Sequence, residues 1–148
     1  MESDHGPCIG RRRRSVTALT GGNILALIAR LRQLEALRDV DPLLQARIVA
    51  ERVRLRALQA LELKAMRDDA GDRMLMASTL KVLGTEAMQR IDALACDMQG
   101  PAAWAMPNRQ TPVDKAVAVP RYLNDRAASI YAGSNEIQRD LIAKALLR

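Results

Sequence analysis

Few side chains in this sequence are equipped for chemistry, and most of them stand alone. A single histidine, His5, and two cysteines, Cys8 and Cys96, cannot assemble a zinc site of the usual His/Cys type. With His5 near the N-terminus, no triad can be composed, and no P-loop, Gly-x-Gly-x-x-Gly or Gly-x-Ser-x-Gly string occurs. Asp68-Asp69 reads as a solvated break between helices. Met66, Met74, Met76, Met88 and Met98 recur at helical spacing, as core filler does. One segment is denser: Arg126-Ala127-Ala128-Ser129-Ile130-Tyr131-Ala132-Gly133-Ser134-Asn135-Glu136-Ile137-Gln138-Arg139. By residue type it is a helix–turn–helix with Gly133 in the turn. Ser134 is a natural N-cap there, and Glu136 sits favourably near the positive end of the helix that follows.

The elements that must position this segment come from the rest of the chain. Its 148 residues allow one domain with a substantial core. Apolar residues make up 49% and charged residues 27%, a balance typical of a globular protein. No run of about 18 apolar residues exists to span a membrane, and the N-terminus lacks the apolar stretch of a secretory signal. Two cysteines make no disulfide framework, which fits a reducing, cytoplasmic setting. The net charge is +6, from 19 Arg and 4 Lys against 17 Asp and Glu. Such a balance could attract nucleic acid or an acidic ligand. Aromatic residues amount to only 2%, however, so the stacking platforms of a single-strand binder are missing and nucleic acid is not the expected partner.

Residues 1–16, with the run Arg11 to Arg14, read as an unstructured basic lead-in. From about Thr17, Ile24, Ile28, Leu31, Leu34 and Leu37 trace an apolar face, flanked by Leu25 and Leu27. Asp41-Pro42 opens a second helix, with Asp41 as N-cap and Pro42 at the first helical position. Leu44, Ile48, Leu55, Leu58 and Leu61 carry its stripe to about Met66. A third helix is expected from Arg73 to Met98, with Met76, Leu80, Leu83, Ala87, Ile91 and Leu94 on one side. Gly84 and several alanines thin its surface for the close approach of a neighbour. Gln99 to Pro120 reads as a long connection, rich in Gly and Pro. A short helix over Arg121–Tyr131 and a last helix over Ser134–Leu147 complete the chain. No alternating strand pattern occurs, so the expected class is all-α: an antiparallel four-helix bundle over residues 17–148 with one short extra helix.

The segment from Tyr131 to Arg139 closely resembles the C-terminal signature of the acyl-CoA dehydrogenases, Tyr-x-Gly-Thr/Ser-x-Glu/Gln-Ile-Gln-Arg. Upstream, Gly21-Gly22, Asp41-Pro42 and Ser78-Thr79-Leu80-Lys81-Val82-Leu83-Gly84-Thr85-Glu86 are similar to that family's C-terminal domain in order and spacing. The resemblance covers roughly residues 17–148 and implies FAD as cofactor, an acyl-CoA as substrate, and other subunits of the family as partners. The helical and β-domains that precede this bundle in family members have no counterpart in the chain.

Carried over residue by residue, the resemblance implies that Gly133, Ser134 and Glu136 face the cofactor. It likewise implies that Tyr131, Ala132 and Gly133 border the substrate, with the Ala132 backbone N–H available to the thioester carbonyl. In the family a carboxylate removes the substrate's α-proton. Many members carry it immediately before the signature glycine, where this chain has Ala132. Others carry it a few residues before the Gly-Gly, where this chain has Ser15 to Thr20 and no acid between Asp4 and Glu35. Both base positions are vacant. The family's Arg-x-x-Phe-Gly segment is also missing, and its Gly-Gly-x-Gly turn is reduced to Gln99-Gly100-Pro101. Three readings follow: the FAD-associated bundle of a dehydrogenase, inactive as an isolated chain; a non-catalytic partner subunit of a hetero-oligomeric dehydrogenase; or a basic helical binding module using Arg47, Arg52, Arg54 and Arg56.

Overall fold

The computed structural model describes residues 12–37, 40–67, 73–104, 110 and 117–147, with the side chains of the first helix from Ile24 onward. Within these residues the chain is all-helical. The helices are α1 (Arg12–Glu35), α2 (Pro42–Arg67), α3 (Arg73–Gln99), α4 (Ala118–Asp125) and α5 (Asn135–Leu146). The four long helices form the bundle, and α4 is the short extra one. No helix among the described residues is long and apolar enough to cross a membrane.

The helix ends follow local chemistry. Asp41 caps α2: its Oδ1 accepts from the Leu43 N–H at 2.7 Å, and its carbonyl accepts from Gln45 N–H at 2.9 Å. The α3 helix stops at Gly100, whose φ of +65° is the left-handed conformation that ends helices. A 3₁₀ turn over Gly100–Trp104 follows. Two boundaries differ from expectation. The backbone is already helical from Arg12, ahead of Thr17, because arginine is itself a good helix former; the rest of the basic lead-in lies outside the described residues. The short helix begins at Ala118, before Arg121, since Pro120 is tolerated in a first turn where no N–H bond is lost. It then tightens into a 3₁₀ segment over Arg126–Ser129 and does not continue to Tyr131.

α3 is the centre of the bundle and packs against each of the other four helices. The core joins Ile24, Leu27 and Leu31 of α1 with Ile48, Leu55 and Leu58 of α2 and Leu80, Ala87, Ile91 and Leu94 of α3. The expected faces are correct in period but rotated in detail. Leu27, expected at the flank, is buried, whereas Leu25 points to solvent; Leu37 is exposed because α1 has already ended at Glu35. On α3, Leu83 is exposed; Met66 and Met74 are exposed as well, while Met88 and Met98 pack on the core. Gly84 does not mark a close helix approach among the described residues, for a Cβ added there would meet nothing within 4 Å.

Candidate functional site

The turn between α4 and α5 is the one place where the expected site residues converge. The Ile130 and Tyr131 N–H groups both donate to the Ala127 carbonyl, at 2.9 and 3.2 Å, closing the 3₁₀ segment. The backbone then takes two successive left-handed residues, Ala132 at φ +58° and Gly133 at φ +85°. Glycine accepts this conformation freely, but for Ala132 it costs roughly 1–2 kcal/mol. Nothing in the residue types announces a strained alanine. Its consequence is that the chain reverses abruptly. Among the described residues, no backbone hydrogen bond uses the N–H of Ala132, Gly133 or Ser134. These donors therefore stand at the positive end of α5.

Ser134 is extended, at φ −60° and ψ 156°, and its Oγ accepts from the Ile137 N–H at 3.4 Å while its carbonyl accepts from Gln138 N–H at 3.0 Å. The cap uses only the hydroxyl's lone pair, and its proton goes to the Glu136 carboxylate. Replacing Ser134 by alanine is expected to lower stability by about 1 kcal/mol, read from urea denaturation followed by circular dichroism. Glu136 projects to solvent, with its side chain 76% exposed. The N–H at its own backbone, then the Ser134 hydroxyl, hold its carboxyl below the usual glutamate range, so it is anionic at neutral pH. Tyr131 is exposed beside the turn. Ala132, Gly133, Ser134 and Glu136 thus form one contiguous surface.

The turn is anchored from α3 through Asn135, a buried residue that the residue pattern did not single out. Its Oδ1 accepts from Lys81 Nζ at 2.6 Å and from Thr85 Oγ1 at 3.2 Å. Desolvation lowers the Lys81 ammonium from its ordinary value, against the opposing pull of Glu136. Arg139 Nη2 reaches Glu86 at 2.5 Å, a second tie between α5 and α3. Lys81, Thr85 and Glu86 all lie in the Ser78–Glu86 stretch, which thereby holds the first turn of α5 in place.

The second base position, over Ser15 to Thr20, falls in α1 where side chains are outside the described residues. Ala132 has only a methyl group and no proton acceptor in its side chain. Among the described residues no cluster of three or more His, Cys, Asp or Glu is arranged to hold a metal ion. The arginines of α2 are largely engaged within the chain. Arg47 pairs with Asp97 at 2.7 Å, Arg52 with Glu35 at 2.7 Å, and Arg54 with Glu51, which also receives Arg90 at 3.0 Å. That internal pairing weakens α2 as a surface for a polyanion.

Residues 22–147 match the family described as acyl-CoA dehydrogenase, C-terminal domain. Two curated relatives are both acyl-CoA dehydrogenase IpdE1. The protein from Mycobacterium tuberculosis is 32% identical over 107 residues, covering 72% of this chain and 27% of the relative. That from Mycolicibacterium smegmatis is 33% identical over 112 residues, covering 72% of this chain and 26% of the relative. The matched region thus corresponds to about a quarter of either relative.

Proposed function

The chain belongs to the acyl-CoA dehydrogenase family, and on that premise we propose that it is the FAD-associated C-terminal bundle of such an enzyme, inactive when isolated. The observation that carries this reading is the Ala132–Ser134 turn, with backbone donors and a hydroxyl gathered at the N-terminus of α5. This donor set suits an electron-accepting heteroaromatic ring with carbonyl and nitrogen acceptors, so it fits FAD. Gly133, Ser134 and Glu136 would hold it, chiefly through the backbone N–H groups of the turn. A Cβ at Gly133 would meet Gln138 Nε2 at 2.6 Å, so the glycine makes room for that side chain. When bound, FAD would supply the acceptor for a hydride from the β-carbon of an acyl-CoA thioester.

The chain's own residues then have limited roles. The Ala132 N–H can donate to the thioester carbonyl, which acidifies the α-carbon by stabilising negative charge on oxygen. Tyr131 and Gly133 border the acyl chain. No side chain of the turn can take the α-proton, so the base must come from another subunit or domain. This vacancy favours one further reading, a non-catalytic subunit assembled with a complete relative in lipid metabolism, in the cytoplasm.

The test is to purify the chain alone and co-expressed with a complete acyl-CoA dehydrogenase, and to read the flavin absorbance of each preparation. The expected result is a colourless chain alone and a yellow, stable complex on co-expression. Failure to associate together with failure to acquire flavin would remove the cofactor role.

A further inference from the structure

The residues around Asp92 form a cluster outside the turn, and they bear on where the turn sits. Asp92 lies on α3 and is 2% exposed. Its Oδ1 accepts from Arg30 Nη1 of α1, while its Oδ2 has no hydrogen-bond donor among the described residues. Arg30 Nη1 also stands 4.0 Å from Asp125 Oδ2, on the last residue of α4. Two carboxylates therefore share one closely held guanidinium. Gln89 of α3 fastens the same point, its Nε2 donating to the Asp125 carbonyl at 3.1 Å and to the Arg126 carbonyl at 3.3 Å. Asp125 leads directly into the 3₁₀ segment over Arg126–Ser129, whose Ala127 carbonyl receives the Ile130 and Tyr131 N–H groups. The place where α4 ends thus sets where the Ala132–Gly133 turn begins.

We propose that Asp92 and Asp125 share one proton against Arg30, and that this proton-sharing clamp positions the Tyr131–Ser134 turn. The argument is one of donors and charge. With both carboxylates ionised, Asp92 Oδ2 is a buried acceptor with no donor among the described residues. A proton on that oxygen turns the orphaned acceptor into a donor to Asp125, while Oδ1 still accepts from Arg30. The charged groups acting on Asp92 are Arg30 from α1 and Asp125 and Arg121 from α4; on its own helix, the buried Cys96 thiol lies in its field. Burial, then the hydrogen bond with Asp125, push the Asp92 carboxyl up to about 7, against the opposing pull of Arg30 and Arg121. Arg30 and Asp92 are positioning residues, acting on the turn through Asp125. Only the bearing on FAD rests on the function proposed above; the clamp and its coupling to the turn stand on their own geometry.

The test is carbon-13 and nitrogen-15 NMR on the full chain, titrating the Asp92 carboxyl and following the Gly133 and Ser134 amides. An Asp92 midpoint near 7, with both amides shifting at the same midpoint, is the expected result. In Asp92→Asn, whose amide donates to Asp125 while its oxygen still accepts from Arg30, the amide shifts should flatten over that range. In Asp125→Asn the Asp92 midpoint should fall, because the added amide donates to an ionised Asp92. This second variant and the unaltered chain decide the matter if Asp92→Asn does not fold. An Asp92 midpoint in the ordinary aspartate range would overturn the shared proton. A raised midpoint with unmoved Gly133 and Ser134 amides would overturn the positioning. Neither readout depends on flavin, so failure of the clamp is distinct from failure of the cofactor role.

Discussion

Replacing Ile91 by alanine is expected to lower the unfolding free energy by about 2–5 kcal/mol, a large part of the total for a domain of this size. Ile91 is fully buried, at 0% exposure, on the helix that touches all the others. Its neighbours in the core come from α1, α2 and α3, so three elements would face the vacated space and none could close it without moving against the others. The lost transfer energy and the residual cavity both contribute. Leu25→Ala is the control, at a side chain 64% exposed on α1, where a change within about 0.5 kcal/mol is expected. Urea denaturation followed by circular dichroism reads both. A small effect at Ile91, comparable with Leu25, would contradict α3 as the centre of the core.

Removing the Arg30 guanidinium should destabilise the fold in a way that depends on pH. Asp92 titrates near 7 because burial, then its hydrogen bond with Asp125, disfavour the charged form. A carboxyl raised above its unfolded value stabilises the fold through its proton. That contribution is complete below the unfolded value and is lost as pH rises through about 7. At about pH 8, one unit above that value, Arg30→Ala leaves a buried carboxylate without its cation, and the carboxylate takes up a proton instead. The loss there therefore exceeds the low-pH loss by up to about 1.4 kcal/mol. At about pH 5.5 the Asp92 carboxyl carries its proton in both proteins, so the substitution removes a hydrogen bond and packing, roughly 1–2 kcal/mol. Denaturation at the two pH values measures the difference. Equal losses at both would mean that Asp92 is already ionised at the lower pH.

How much of the site was legible depended on whether its cause is local. Ser134 and Gly133 carry their conformational preferences with them, so a turn and a cap could be read from residue type. Ala132 carries the opposite preference, and its left-handed φ of +58° is imposed by the helices on either side of it. Asn135 looked like any helix-start residue. Its role depends on Lys81 and Thr85, 54 and 50 positions away in the chain. The same holds for Asp92, which lay off the expected apolar stripe of α3 and is buried because Arg30, 62 positions away, is brought to it.

By itself the sequence determined the all-helical class, the start of α2 at Asp41-Pro42, the start of α5 at Ser134, and the family of the chain. Each of these is encoded by neighbours within about four residues or by a contiguous string, so no tertiary contact is needed to express it. The tertiary structure decided the rotation of each helix about its axis, which buried Leu27 and left Leu83 to solvent. It also decided which polar groups would meet inside the bundle. The periodicity of a helix specifies that an apolar stripe exists, but its exact edges depend on the surfaces packed against it. A charge such as Asp92 can be buried only where another element supplies its partner, and that supply is a property of the assembled bundle.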